Sequence, residues 1–272
     1  MNRAAPGDPV PGTVHLVGAG PGAADLLTLR AVRLLGEADV VFHDALVDES
    51  VLALAPQARR VPVGKRCGRL HTAQRFINRQ LIEAARRYRV VVRLKGGDPL
   101  VFGRAQEEID ELQSAGITVR VVPGVTAACA AAAELARSLT VRGSARNVLL
   151  LTPRTGDGEA THPWARAAAA ADTLALYMAS RDATSVAQAL VDAGVPRHRP
   201  AVLVENASRP DARTLHAPLH AIGSAAEALG DGPALLLVGE PFAVAPQRSA
   251  EYAAPAQPDA TRPVSQAFGA PG

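Results

Sequence analysis

Short apolar runs alternate with amphipathic segments along the first half of the chain. Continuous apolar runs are typical of strands buried on both faces, whereas apolar residues spaced three and four apart are typical of helices that bury one face. The pattern predicts strands at 13–17, 40–42, 60–63, 90–94 and 118–122, and helices at 26–35, 50–54, 72–87, 105–115 and 125–136. Because strands that alternate with helices pair in parallel, we expect a largely parallel sheet.

A second block follows a polar, arginine-containing segment at 137–146. It predicts strands at 148–152, 173–178, 201–205, 214–217 and 234–238, and helices at 164–171 and 183–193. No helical pattern separates strands 201–205 and 214–217, so we expect a hairpin within a mixed sheet. The predicted fold class is therefore α/β with two domains, 13–136 and 147–244, joined by the linker 137–146.

The two ends of the chain lack this periodicity. Residues 1–12 and 245–272 are rich in Ala, Pro and Gly, which predicts disordered tails. Residues 1–12 have no apolar centre of the kind found in signal peptides, and no apolar run approaches the roughly 20 residues of a membrane-spanning helix. We therefore expect a cytoplasmic protein that does not enter a membrane.

Composition narrows the choice of partners. The net charge of +3 would suit nucleic acid or an acidic small molecule, but aromatic residues make up only 3% of the chain and offer few stacking platforms for bases. Cys67 and Cys129 form no Cys-x-x-Cys pair, so we expect reduced thiols. The sequence predicts neither nucleic acid nor a metal ion as a partner.

Lysine is rare among the basic residues. Of the 29 basic residues, only Lys65 and Lys95 are lysines. Where a chain uses arginine almost everywhere, a lysine indicates a need for a compact, titratable ammonium group, although chance survival explains it equally well.

Two glycine-rich loops follow predicted strands. The loop at 18–22 fits the glycine fingerprint of dinucleotide-binding folds, and Asp44, after the next strand, suits a ribose hydroxyl as in NAD-dependent oxidoreductases. The loop at 95–99 leaves strand 90–94. Because the carboxyl ends of parallel strands meet at one edge of a sheet, two such loops favour a ligand site there. Two alternatives remain: the chain is an NAD-dependent enzyme, or the glycine loops bind no ligand and serve only to reverse the direction of the chain.

A series of motifs, in a fixed order, resembles the tetrapyrrole methylase family. The motifs are VGAGPG at 17–22, HDALV at 43–47, VGKRCG at 63–68, RLKGGDPLVFGRAQEE at 93–108, VVPGVTAA at 121–128, LYM at 176–178, VEN at 204–206 and VGEPF at 238–242. The resemblance spans about residues 13–242, and VGKR with RLKGGDP is most similar to the members that methylate uroporphyrinogen III.

The resemblance implies a homodimeric enzyme of two α/β domains that binds S-adenosylmethionine in the cleft between them and needs no metal. It also implies methylation of uroporphyrinogen III at C2 and C7 to give precorrin-2, in porphyrin, cobalamin and sirohaem biosynthesis. By motif, Asp44 is the proton acceptor and Lys65 the proton donor. The residues assigned to the cofactor are Pro21, Gly96, Gly97, Asp98, Val101, Thr126, Ala127, Met178 and Ala207.

Such a substrate carries carboxylates around its rim, for which arginine is a strong hydrogen-bond donor. We assign Arg66, Arg104 and Arg142 to the binding of these carboxylates.

Three positions depart from the pattern of the family. Val141 stands where the family usually has His, Pro153 where it usually has Gly, and His43 where it usually has Tyr. These changes leave the cofactor assignment intact. They keep open a paralogous methyltransferase that acts on a related tetrapyrrole.

Overall fold

The computed structural model describes residues 11–63, 70–154 and 163–244, with the backbone alone for 70–73. The first half of the chain forms a five-stranded sheet in the order β3-β2-β4-β1-β5, and every pairing in it is parallel. The predicted parallel sheet is therefore confirmed. Its strands are β1 (Thr13–Gly18), β2 (Val40–His43), β3 (Arg59–Pro62), β4 (Val90–Lys95) and β5 (Thr118–Val122).

Helices cover both faces of this sheet. They are α1 (Leu29–Glu37), α2 (Glu49–Leu52), α3 (Leu70–Ala85) and α4 (Ala105–Ser114). Leu35 of α1 packs with Val92 on one face, whereas Leu81 of α3 and Leu112 of α4 pack with Val91 on the other. Because successive residues of a strand point to opposite faces, burial of both faces explains the continuous apolar run of β4.

The second half of the chain forms a mixed five-stranded sheet in the order β6-β7-β10-β8-β9. The pairing of β6 with β7 is parallel, and the other pairings are antiparallel. The predicted mixed sheet and its hairpin, β8 with β9, are confirmed. The strands are β6 (Val148–Leu151), β7 (Thr173–Leu176), β8 (Pro200–Glu205), β9 (Arg213–Pro218) and β10 (Ala234–Val238), and the helices are α6 (Trp164–Ala169), α7 (Ala183–Asp192) and α8 (Ile222–Ala226).

One face of the second sheet packs against α6, α7 and α8. Leu203 and Leu236 of the sheet form a buried cluster with Leu190 of α7 and Ile222 of α8. Trp164 of α6 is partly buried against this cluster, so it contributes to the core. Helix α8 is a single short turn of helix that the sequence pattern did not predict.

The other face of the second sheet packs against α5 (Ala127–Glu134), the helix that follows β5. Ala128 and Ala131 are buried together with Val202 and Leu237. Small alanine side chains let the helix approach the sheet closely. Helix α5 therefore bridges the two halves of the chain, and the linker at 137–146 remains a prediction.

Several predicted element boundaries are shifted by one or more residues, and three of the shifts have a clear local reason. Helix α1 begins at Leu29 rather than at residue 26, because the Thr28 side chain caps it by accepting a hydrogen bond from Ala31 N at 3.2 Å. Strand β7 ends at Leu176, because Met178 has a left-handed φ of 57°. Helix α5 ends at Glu134, ahead of the left-handed Ala136.

The tails predicted at 1–12 and 245–272 fall almost wholly outside the described residues. Within the described part of the chain, no helix is long and apolar enough to span a membrane.

Candidate active site

The two glycine loops meet at the carboxyl edge of the first sheet. From β1 the chain crosses β4 to reach β2, and from β4 it crosses β1 to reach β5, so the strand order reverses between β1 and β4. Such a switch point opens a crevice at the strand ends, where open α/β sheets bind ligands. At this crevice Gly20 N donates to Gly97 O at 3.2 Å and Gly97 N donates to Gly20 O at 2.6 Å.

A third loop, after β5, closes tightly on the first two. A Cβ added at Gly18 would lie 2.6 Å from the Cα of Gly124 and 2.7 Å from the carbonyl oxygen of Gly97. Glycine is therefore required where the three backbones touch. The Asp98 carboxylate fixes this contact, because its Oδ2 accepts from Gly124 N at 3.0 Å and its Oδ1 from Leu100 N at 2.8 Å.

Tyr177 connects the third loop to the second sheet. Its hydroxyl oxygen lies 2.6 Å from Thr126 Oγ1 and accepts from Ala128 N at 3.2 Å. Burial raises the pKa of Tyr177, so the phenol stays protonated at neutral pH. The ring also packs against Phe102, with centroids 4.9 Å apart. These contacts bring Met178, which is 44% exposed, to the edge of the crevice.

The loop between β8 and β9 reaches the first sheet from the other side. Ser208 Oγ accepts from Ala23 N at 3.1 Å, and Arg209 Nη2 donates to Leu46 O at 2.9 Å. Loops from both sheets thus converge on one crevice. They carry every residue that the sequence assigned to the cofactor, namely Pro21, Gly96, Gly97, Asp98, Val101, Thr126, Ala127, Met178 and Ala207.

Asp44, the assigned proton acceptor, follows β2 and pairs with a buried arginine. Its Oδ1 accepts from Arg93 Nη2 at 2.6 Å, and its side chain is 31% exposed. Arg93 Nε also donates to Glu108 Oε1 at 3.1 Å, and Lys95 Nζ donates to the same oxygen at 3.1 Å. Four charged side chains, two of each sign, therefore form one cluster beneath the crevice.

The two cations of this cluster differ in their titration. Burial alone would lower the pKa of Arg93, but the charges of Asp44 and Glu108 and their hydrogen bonds raise it. The pKa of Lys95 is lowered, first by burial and then by the charge of Arg93. Arg93 is therefore a permanent cation, whereas Lys95 is the titratable ammonium of the pair.

Sequence reasoning missed Arg93 and Glu108, although both lie within the motif at 93–108. The available signal was that Arg93 and Lys95 stand at alternate positions of an otherwise apolar strand, and so share one face of the sheet. Their common partner Glu108 lies on helix α4, and the sequence does not indicate that contact.

The assigned substrate residues are less tightly connected. Arg104 has a left-handed φ of 54° and pairs with Glu107 at 2.7 Å. Arg142 is exposed in the turn closed by Val141 N donating to Ala145 O at 2.9 Å, and the described contacts do not join its side chain to the crevice. Lys65 and Arg66 lie outside the described residues.

Two of the three positions that depart from the family motifs lie near strand ends, whereas Val141 lies in the turn that it closes with Ala145. His43 is the last residue of β2, and its Nδ1 lies 3.3 Å from Asp44 O. Pro153 follows β6. Among the described residues no group of three or more His, Cys, Asp and Glu side chains is arranged to hold a metal ion.

Comparison with known proteins identifies the family. Residues 13–223 match the family model of the tetrapyrrole (corrin/porphyrin) methylases. The chain belongs to this family. A chloroplastic S-adenosyl-L-methionine-dependent uroporphyrinogen III methyltransferase of Arabidopsis thaliana is 45% identical over 88% of the chain and 66% of the relative. A uroporphyrinogen-III C-methyltransferase of Paracoccus denitrificans is 43% identical over 86% of the chain and 83% of the relative.

Other members of the family differ in length and in name. The chain spans 66% of the Arabidopsis protein and 50% of a siroheme synthase of Stutzerimonas stutzeri, which is 42% identical over 84% of the chain. The uroporphyrin-III C-methyltransferase of Thermus thermophilus, solved with S-adenyl homocysteine, has a TM-score of 0.73 and 41% identity over 84% of this chain and 98% of that one. A cobalt precorrin-4 methyltransferase has a TM-score of 0.77 and 26% identity over 85% and 96% of the two chains.

Proposed function

We propose that the chain is an S-adenosylmethionine-dependent C-methyltransferase that converts uroporphyrinogen III to precorrin-2 by methylation at C2 and C7. The observation that carries the proposal is the convergence of loops from both sheets, which carry five of the family's motifs distant in sequence (17–22, 93–108, 121–128, 176–178 and 204–206), on one crevice. Relatives named for this reaction, at 45% and 43% identity, support it. We further propose a cytoplasmic homodimer that needs no metal and binds neither nucleic acid nor membranes.

The crevice fits S-adenosylmethionine better than a dinucleotide. Its floor is the backbone of glycine loops, where a Cβ at Gly97 would have no neighbour closer than 3.9 Å. The half-exposed Met178 and Val101 offer apolar contacts at its edge. Helix α5 begins at this crevice, but the Asp98 carboxylate lies among the same loops and would repel the pyrophosphate of NAD. This charge favours a ligand that carries a cationic sulfonium over one that carries phosphates.

Bound S-adenosylmethionine supplies an electrophilic methyl group, and the protein supplies position and a proton acceptor. An electron-rich pyrrole carbon needs only alignment with the methyl group in a site shielded from water. Attack leaves cationic character on the ring, which the Asp44 carboxylate stabilises before it accepts a proton. Arg93 holds Asp44 Oδ1 at 2.6 Å and so fixes the position of the carboxylate.

We assign the remaining roles to residues near the same edge of the sheet. Val63 N donates to His43 O at 2.9 Å, so the chain that leads to Lys65 and Arg66 leaves β3 beside Asp44. In the proposal Lys65 is the proton donor. Arg66, Arg104 and Arg142 bind carboxylates at the rim of the tetrapyrrole.

A second candidate is methylation of a related tetrapyrrole. The TM-score of 0.77 to the cobalt precorrin-4 methyltransferase slightly exceeds that to the Thermus enzyme, although the identity is only 26%. The departures at His43, Val141 and Pro153 favour the same alternative. A NAD-dependent oxidoreductase is the more distant rival.

The proposal is tested by incubating the protein with S-adenosylmethionine and enzymatically made uroporphyrinogen III, followed by mass analysis of the pigment. We expect a product with two added methyl groups. A single added methyl group would restrict the proposal to one ring carbon. No transfer to uroporphyrinogen III, together with transfer to a more highly methylated precorrin, would replace the first candidate by the second.

A further inference from the structure

The charged cluster beneath the crevice lies where the first sheet is otherwise apolar. On the face of the sheet that packs against α3 and α4, Leu16, Phe42 and Val91 are buried hydrophobic residues. On the same face of β4, the next two positions after Val91 are Arg93 and Lys95, whose side chains are only 3% and 5% exposed. The change from apolar to charged residues occurs at the strand end nearest the crevice.

Glu108 is the centre of this cluster. Its side chain is fully buried, and its Oε1 accepts hydrogen bonds from Arg93 Nε, Lys95 Nζ and Gln74 Nε2, each at 3.1 Å. Gln74 also donates to Asn78 Oδ1 at 3.1 Å. Both α3 and β4 therefore hold the Glu108 carboxylate in one place on α4.

Arg93 links Glu108 to Asp44. Its Nε faces Glu108, its Nη2 faces Asp44 at 2.6 Å, and its Nη1 donates to Leu94 O at 3.1 Å. All three nitrogens belong to one rigid plane, so the position of one fixes the position of the others. An ammonium group on a flexible stem cannot transmit orientation in this way.

Stability alone does not account for these buried charges. A buried ion pair is often no more stabilising than a packed apolar pair of similar volume. Among the described residues, Glu108 Oε2 is buried without a hydrogen-bond partner, which is itself unfavourable. A purely structural role would be filled as well by apolar residues that continue the pattern of Leu16 and Val91.

We propose that Glu108 is a positioning residue for methyl transfer, which acts through Arg93 on the carboxylate of Asp44. The inference rests on the proposed function, in which Asp44 is the proton acceptor. Glu108 fixes the guanidinium plane, and the guanidinium holds Asp44 Oδ1 at the end of β2. Arg93 and Lys95 together carry two positive charges. These balance the two negative charges of Asp44 and Glu108, so the cluster is neutral as a whole.

The test is Glu108→Gln, which keeps the shape of the side chain but removes its charge. We expect kcat to fall about tenfold or more, with less than about a threefold change in KM and in the affinity for S-adenosylhomocysteine. Glu111→Gln, an exposed change on the same helix, is the matched control and should leave all three values unchanged.

A double-mutant cycle with Asp44→Asn separates positioning from general damage. If Glu108 acts through Asp44, Glu108→Gln should lower kcat by less than about threefold when Asp44 is already replaced by Asn. If Glu108→Gln lowers kcat equally in the wild type and in Asp44→Asn, the proposal is overturned, while the methyltransferase assignment stays intact. Full activity of Asp44→Asn itself would instead remove the assigned proton acceptor, and an inactive wild-type protein would refute the proposed function.

Arg93→Lys is the second variant, for the case in which Glu108→Gln does not fold. It keeps the positive charge, but its single ammonium cannot span Glu108 and Asp44 together. We expect the same loss of kcat and the same dependence on Asp44. Failure of both variants to fold would assign the cluster to stability and overturn the positioning role.

Discussion

Arg93 Nη2 lies 2.6 Å from Asp44 Oδ1, so a side chain from the central strand β4 holds a carboxylate at the end of the neighbouring strand β2. The two side chains of this ion pair differ in exposure. The Arg93 side chain is only 3% exposed, whereas the Asp44 side chain is 31% exposed. A carboxylate in this position is held rigidly and remains accessible to a substrate.

Asp44→Asn should therefore separate binding from chemistry. The amide keeps the shape of the side chain but loses its charge and basicity, so we expect turnover to fall about 10²-fold or more. The affinity for S-adenosylhomocysteine should stay within about threefold of the wild type. Steady-state methyl transfer and calorimetry measure the two quantities, and Asp110→Asn, an exposed change on α4, is the control. Undiminished turnover would exclude Asp44 as the proton acceptor.

The strands and the convergence of the loops could be predicted from the sequence. Both faces of the first sheet are covered at its centre, so strands β1, β2 and β4 are mainly apolar, and parallel pairing brings the carboxyl ends of the strands to one edge. The link from Arg93 to Glu108 could not be predicted, because it depends on how α4 packs on β4. Likewise, Arg209 and Leu46 are separated by 163 positions, and no local pattern reports their contact.

The contact between glycine loops predicts a strong effect of Gly124→Ala. A methyl group there would lie 2.9 Å from the Cα of Gly18 and still closer to Gly97 O, and neither backbone atom moves easily. We expect the free energy of unfolding to fall by about 1–3 kcal/mol and binding of S-adenosylhomocysteine to weaken. Urea denaturation and calorimetry measure these changes.

Gly36→Ala is the matched control for Gly124→Ala. A Cβ at Gly36, within helix α1, would have no neighbour within 4 Å. Because alanine is the better helix former, the free energy of unfolding of this variant should rise by about 0.5–1 kcal/mol. If both variants have the same stability as the wild type, the close approach of the three loops is not as tight as described.

Arg209→Ala tests the connection between the loops of the two sheets. Arg209 packs against Gly22 and donates to Leu46 O at 2.9 Å, so it joins the β8–β9 loop to two loops of the first sheet. We expect about fivefold to tenfold weaker binding of S-adenosylhomocysteine, because the loss of one exposed hydrogen bond corresponds to about 1–1.4 kcal/mol. Arg197→Ala, at an exposed position before β8, should bind as the wild type does. Equal affinities in the two variants would exclude this role of Arg209.

Two histidines with lowered pKa values, the partly buried His15 and the exposed His216, predict a loss of stability in acid. The pKa of His15 is lowered from 6.5 by burial and then by Arg120, against the opposing charge of Glu37, and that of His216 is lowered by burial and then by Arg137. The unfolded chain therefore binds more protons than the folded one below pH 6.5. The free energy of unfolding is therefore highest above pH 6.5, and it decreases as the pH falls through the lowered pKa values of the two histidines.

Urea midpoints at about pH 7.5 and about pH 5.5 measure this loss. The double variant His15→Gln/His216→Gln should lose less stability between the two pH values than the wild type. His198→Gln, at an exposed position, serves as the control for removal of an imidazole. An identical loss in the double variant and the wild type would show that other groups control the acid sensitivity.

The ligand that the protein binds distinguishes a methyltransferase most clearly from an NAD-dependent enzyme or a nucleic-acid-binding protein. We expect S-adenosylhomocysteine to bind at about 1 μM, or about −8 kcal/mol, and NAD and a mixed oligonucleotide to bind negligibly. Met178→Asp should weaken the first, since it replaces an apolar contact at the crevice by a charge. Aspartate tolerates the left-handed φ of 57° at this position, so the effect reports the side chain and not the backbone. Met178→Leu, which keeps an apolar side chain there, should retain most of the affinity. Tight binding of NAD, with none of S-adenosylhomocysteine, would replace the methyltransferase by an oxidoreductase.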